Sequence, residues 1–260
     1  MFRFRLNQVT AAKVRLAKML SDMNRSNEAH GLIKEALNSQ GSNLNLRAFY
    51  THFLIQNNMS SPAKDFVFRT LKEQDKYDLY SLCAAGWIQY HQARESRDAS
   101  PKGIEERRRG FQRSAEFYEK ALHLDPMCAV AAQGLAIVTA EDALGNLGGS
   151  IGPPAPDEAM KRVKNAREAL DVFAKVREAL DDGSVYSNMG HCYYASEDFD
   201  RAIESVSTVS FLLALIALTN PCCSTRPPPR SSITTTTSQY SSVFVGHGML
   251  RQTKTNHSPP

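Results

Sequence analysis

RSAEFYEKALHLDP, residues 113–126, decides the fold. Ala115, Phe117 and Tyr118, then Ala121 and Leu122, recur at the spacing of one helix face, and Asp125-Pro126 ends the run because proline cannot continue a helix. A single amphipathic helix says little, but this one recurs with a period of about 34 residues. Counting from Thr10, small residues stand eighth, twentieth and twenty-seventh as Ala17, Ala29 and Ala36, with a turn at Gly41. One period later the same positions hold Thr51, Ala63, Thr70 and Asp75, and the next eighth position is Ala85 in DLYSLCAAGWIQY. The register then breaks and resumes with Ser114, Tyr118, Ala121 and Pro126 of the opening stretch. Leu135 and Ala136 of AAQGLAIVTA begin another unit, and Tyr186, Met189, Gly190 and Tyr193 the last, with Ala202 twelve residues after Gly190.

This is the tetratricopeptide pattern, in which two short antiparallel helices cross where side chains are small and each pair buries its apolar face on the next. The spacing predicts an all-α solenoid of about five helix pairs over residues 10–205. Two insertions interrupt it. HQARESRDASPKGIEERRRG, about 91–110, is highly charged; EDALGNLGGSIGPPAPDEA, about 141–159, is rich in Gly and Pro. Both are expected to be loops joining the two helices of a pair. KRVKNAREALDVFAKVREAL, 161–180, returns as a long amphipathic helix.

Residues 206–260 have another character. From Ser205 onward there is no Asp or Glu, and PCCSTRPPPRSSITTTTSQYSS has low complexity. Two readings stay open, a disordered tail or a mis-spliced end that replaces further repeats. Cutting a solenoid within a pair exposes the face meant for the next, so marginal stability is expected.

Charge and cysteine content narrow the function. The chain has 31 basic and 27 acidic residues, and four of the basic ones (Arg226, Arg230, Arg251 and Lys254) lie in the tail, so the body is neutral. A neutral body is not expected to bind nucleic acid through phosphate contacts. The longest apolar run, Phe211–Leu218, is about half a membrane span. Cys83, Cys128, Cys192, Cys222 and Cys223 are odd in number and form no C-x-x-C pair, which fits reduced thiols. The sequons at Asn24, Asn58 and Asn256 then read as chance matches.

The stretches between the small residues carry a resemblance. YDLYSLCAAGWIQYHQARESRD, RSAEFYEKALHLDPMCAVAAQGLAIVTAE, NAREALDVFAKVREALDD and VYSNMGHCYYASEDFDRAIES occur in that order. In that order they resemble the large tetratricopeptide subunit of the RNA polymerase II-associated PAF (polymerase-associated factor) complex, over about residues 10–205. The resemblance implies a nuclear, non-enzymatic scaffold whose partners are the other PAF subunits and RNA polymerase II, acting in transcription elongation and co-transcriptional histone modification. It further implies an internal piece of a longer solenoid.

No catalytic, cofactor-binding or metal-ligating residue is expected. The glycines of GNLGGSIGPP, 145–154, lack the Gly-Lys-Ser/Thr and preceding strand of a phosphate loop. His191-Cys192 lacks partners at ligand spacing. Arg107-Arg108-Arg109, within the basic insertion Lys102–Arg113, follows Glu105-Glu106 and reads as a solvated rim, with a localisation element as the sharper alternative. Trp87 and the aromatics of 111–118 read as core. Chaperone-adaptor repeats hold a peptide carboxylate with Lys fifth and Asn ninth. The pairs here are Val14/Lys18, Ala48/His52, Leu82/Gly86, Gln133/Ile137 and Ser187/His191, so that clamp is missing. A cytosolic tetratricopeptide adaptor and the repeat domain of a larger transferase are the rival readings.

Overall fold

The period found in the sequence is a period of backbone conformation. The computed structural model describes residues 2–143, 156–180 and 183–219. Among them lie ten helices and no strand: α1 (Phe2–Asp22), α2 (Ser26–Ser39), α3 (Leu44–Gln56), α4 (Ser60–Glu73), α5 (Leu79–Glu95), α6 (Pro101–Leu124), α7 (Ala129–Ala143), α8 (Pro156–Ala179), α9 (Gly183–Ala195) and α10 (Phe199–Thr219). They form five pairs. The described residues divide into two compact units, one within Met1–Ser81 and one within Leu82–Tyr240.

In the first unit α1/α2 and α3/α4 are built alike, position for position. Ala17, Ala29 and Ala36 are fully buried, and so, 34 residues later in each case, are Thr51, Ala63 and Thr70. Each pair turns on an asparagine in the left-handed region, Asn24 at φ 61° and Asn58 at φ 56°. The N–H of the following residue reaches back over the turn, Arg25 to the Leu20 carbonyl at 2.8 Å and Met59 to the Leu54 carbonyl at 2.9 Å. This is a Schellman closure, which needs a residue that tolerates positive φ; after Gly, Asn bears it best. The sequons at Asn24 and Asn58 are therefore turn residues. Between the pairs, Asn43 caps α3 by accepting the N–H groups of Asn45 and Leu46.

In the second unit α6 and α8, of 24 residues each, are the longest of the described helices. The charged insertion at 91–110 is not a loop: α5 continues to Glu95 and α6 begins at Pro101, leaving 96–100 between them. Arg, Glu and Lys are good helix formers, and here they pair one turn apart, Arg109 with Glu105 at 3.1 Å and Lys102 with Glu106 at 3.9 Å. Ser100 caps α6 by accepting the Gly103 N–H at 3.0 Å, and Pro101 sits where its missing N–H costs nothing. The insertion thus lengthens both helices of its pair. The second insertion contributes the end of α7 and, from Pro156, the start of α8; residues 144–155 lie outside those described.

The third pair also corrects the register by one residue. Its crossing residue is Gly86, not Ala85. The Ser114 hydroxyl donates to the Gly86 carbonyl at 2.7 Å, and a methyl group on Gly86 would stand 3.0 Å from the Tyr118 ring. Tyr118 is buried between Gly86 of α5 and Gly134 of α7, where a methyl group would fall inside the ring. Phe111, Phe173 and Val185 are fully buried in this unit. The last pair closes like the first two, on Glu197 at φ 62°, with the Asp198 N–H reaching the Tyr193 carbonyl at 3.0 Å. Helix α10 passes through Ser205 without interruption to Thr219, so the first residues of the stretch expected as a tail are helical, and the helical array is wider than 10–205 at both ends. The rest of that stretch, 220–260, lies outside the described residues.

Candidate interaction surface

The functional surface of stacked helix pairs is the row of first helices, whose ninth and thirteenth residues point to the groove side. With the register set by Gly86, those positions on α5 are Trp87 and His91, and the fifth is Cys83. Trp87 and His91 lie one turn apart with ring centroids 4.0 Å from each other. Trp87 Nε1 and His91 Nε2 are buried and have no hydrogen-bond partner among the described residues. Leaving a buried N–H unpaired costs about 1–3 kcal/mol. Burial, with Arg94 nearby, holds His91 down to about 4, so the ring is neutral at pH 7.

Beside this pair the first helices are tied together by buried polar contacts. The Tyr90 hydroxyl of α5 donates to the Glu141 carboxylate of α7 at 2.5 Å, and Arg94 donates to the Tyr90 oxygen at 2.9 Å while lying 3.7 Å from Glu141. Between α7 and α9, the Gln133 amide donates to the Ser184 hydroxyl at 3.1 Å. These contacts fix each first helix against the next, and a preformed surface loses less entropy on binding.

In the first unit the ninth positions are Lys18 and His52. His52 is buried and held down to about 4, first by burial and then by the Lys18 charge. Neither supplies the Asn of a carboxylate clamp. Among the described residues the structure assembles no group of three or more His, Cys, Asp or Glu able to hold a metal ion. His191 and Cys192 diverge: His191 is exposed, whereas Cys192 is buried and pushed up to about 12 by that burial.

Two thiols that are far apart in sequence meet. Cys83 of α5 donates a hydrogen bond to Cys128, the residue before α7. That bond, and the N–H groups of Ala131 and Val130, hold the Cys128 thiol down to about 7 against burial and the Asp125 carboxylate. No local spacing marks this contact. Arg107 is not a free basic residue either, since its guanidinium donates to the carbonyls of Ser96 at 3.4 Å and Asp98 at 3.2 Å and ties down the turn before α6. Of the other aromatics expected in the core, Phe111 and Tyr118 are buried and Phe117 half-buried. The glycine stretch 145–154 and Cys222, Cys223 and Asn256 lie outside the described residues.

Comparisons with known proteins agree with this architecture. No family model matches the chain. It is similar to "Tetratricopeptide repeat protein 1" of Schizosaccharomyces pombe, 29% identical over 199 residues, covering 75% of this chain and 17% of that protein. It is also similar to "RNA polymerase-associated protein CTR9" of Saccharomyces cerevisiae, 29% identical over 183 residues, covering 68% of this chain and 15% of that protein. The chain thus spans less than a fifth of the length of either relative. Among solved structures, a tetratricopeptide protein of Thermus thermophilus superposes with a TM-score of 0.54 at 14% identity, over 77% of this chain and 89% of that one. The fold is an all-α tetratricopeptide solenoid. Proteins of this fold present surfaces for other proteins, and among the described residues no helix is long and apolar enough to cross a membrane.

Proposed function

We propose that the chain is part of a nuclear, non-enzymatic scaffold of the PAF type, serving RNA polymerase II during elongation and the histone modification coupled to it. The observation that supports this reading is the 29% identity to CTR9 over 183 residues, 68% of the chain, beside the resemblance of the quoted stretches to the PAF subunit. On this reading the partners are PAF subunits and the polymerase, and the α5 face bearing Trp87 and His91 is a docking point for an extended segment that offers a hydrogen-bond acceptor. No partner nucleic acid or membrane is invoked. The test is purification of the endogenous protein from nuclear extract, with mass spectrometry of everything that co-elutes. Co-elution of PAF subunits and RNA polymerase II is the expected result. Absence from the nucleus, or co-elution with chaperones or an enzyme alone, would favour the adaptor or transferase readings.

A further inference from the structure

Three cysteines lie among the described residues, and all three are free thiols. Cys83 is buried in α5 and Cys192 in α9, whereas Cys128, just before α7, is only half-buried. Helix α6 separates Cys83 from Cys128 in the chain, yet the Cys83 thiol donates to the Cys128 sulfur. The backbone of Cys128 is held on both sides. Its N–H donates to the Asp125 carbonyl at 3.0 Å, and its carbonyl accepts the Ala132 N–H at 3.0 Å. The sulfur thus stands where a helix-capping oxygen would, and it accepts the N–H groups of Val130 and Ala131. The Cys83 donor foremost, and then these N–H groups, stabilise a thiolate over a thiol. Cys128 is therefore held down to about 7, while Cys192, subject to burial alone, is pushed up to about 12.

We propose that Cys83 and Cys128 are a redox pair that hydrogen peroxide converts to a reversible disulfide, with Cys128 as the attacking thiol and Cys83 as the resolving one. The roles follow from access, since Cys128 meets solvent and Cys83 is buried against it. In the first step the Cys128 thiolate attacks one peroxide oxygen and the O–O bond breaks. The departing hydroxide takes up the proton that Cys128 had lost and leaves as water, and Cys128 is now a sulfenic acid. In the second step the Cys83 sulfur attacks the Cys128 sulfur. The S–S bond forms, the S–O bond breaks, and the hydroxide leaves as a second water with the Cys83 proton. The two thiols together lose two electrons, which the peroxide takes. A disulfide needs its sulfurs about 2.05 Å apart, and thiols already in hydrogen-bond contact close the gap by a short side-chain movement. The bond would pin the start of α7 to α5 one turn from Trp87. Where thiols are otherwise kept reduced, a bond of this kind is transient, and exchange with a dithiol restores both thiols. The inference stands apart from the PAF reading, since it uses only these two thiols and their surroundings.

Peptide mapping by mass spectrometry tests it on the full chain treated with hydrogen peroxide, before and after dithiothreitol. The expected product is a peptide pair joined through Cys83 and Cys128, two hydrogens lighter than the separate peptides and released by dithiothreitol. Cys83→Ser keeps a hydroxyl donor but cannot close the bond, and circular dichroism checks that it stays folded. In that variant Cys128 is expected to stop at the sulfenic acid and to be trapped by dimedone at least about tenfold faster than Cys192. A wild-type chain that gives no Cys83–Cys128 link under conditions that fully oxidise glutathione overturns the proposal. So does a link from Cys128 to Cys222 or Cys223 in place of Cys83. Trapping of Cys192 as fast as Cys128 overturns the assignment of Cys128 as the attacking thiol.

Discussion

The pairs α1/α2 and α3/α4 keep the period to the residue, while α5/α6 does not, and the difference lies in how these turns are made. The first two pairs close through Asn24 and Asn58 in the left-handed region, which sets where each first helix ends. In α5/α6 the turn is a capped segment, 96–100, and the extra residues go into the helices on either side. A pair that grows this way keeps its crossing point, because Ser114 still meets Gly86 although the spacing between them has changed. The repeat therefore tolerates insertion where the packing residues are untouched.

Substitutions can break or sharpen that comparison. The largest effect is expected in the second unit, where Phe173 of α8 is fully buried; Phe173→Ala should cost about 3–5 kcal/mol in chemical unfolding, leaving a cavity that rigid neighbours cannot fill. Next comes a matched pair of glycines. Gly134→Ala drives a methyl group into the Tyr118 ring and should cost about 1–3 kcal/mol. Gly31→Ala, in α2 with nothing within 4 Å, should stabilise by up to about 1 kcal/mol through helix propensity alone. Equal effects at the two sites would show that crossing distance does not set the architecture.

The buried histidines give a third test, one in each unit. His52 and His91 are held at about 4, below their value of about 6.5 in the unfolded chain. Between those values the unfolded state binds the protons, so stability is full above pH 6.5, falls as pH drops, and levels off below about 4. Each histidine should contribute a slope of up to about 1.4 kcal/mol per pH unit in that window, and His52→Gln or His91→Gln should remove its own share. The smallest effects belong to the turns. Asn58→Ala should cost about 1 kcal/mol, whereas Glu197→Gly should gain a few tenths to about 1 kcal/mol, because Glu holds positive φ less well than Gly.

Most of the fold could be read from the small residues. Ala17, Ala29, Ala36, Ala63 and Ala121 mark helix crossings by size alone, and all are fully buried. The register failed at Ala84-Ala85-Gly86, where three small residues in a row leave the crossing ambiguous and only the Ser114 hydrogen bond resolves it. The charged insertion was read as a loop because its charge was weighed above its helix propensity, its one-turn ion pairs and the Ser100-Pro101 cap. The surface on α5 was legible only in part. Trp87 shows as an aromatic at helical spacing, but its groove position depends on the corrected register. The meeting of Cys83 with Cys128 depends on how α5 stands against the start of α7, which no local pattern encodes.

The most direct test of the scaffold reading is quantitative pull-down from nuclear extract with tagged wild-type chain and the Trp87→Ala/His91→Ala double variant, after calorimetry has shown both to be folded. Recovery of PAF subunits and RNA polymerase II by the wild type, reduced about tenfold or more in the variant, is the predicted result, the loss of one interface anchor being of that order. Failure of the wild type to enrich any of them would contradict the scaffold reading, and equal recovery by both chains would move the docking surface away from α5.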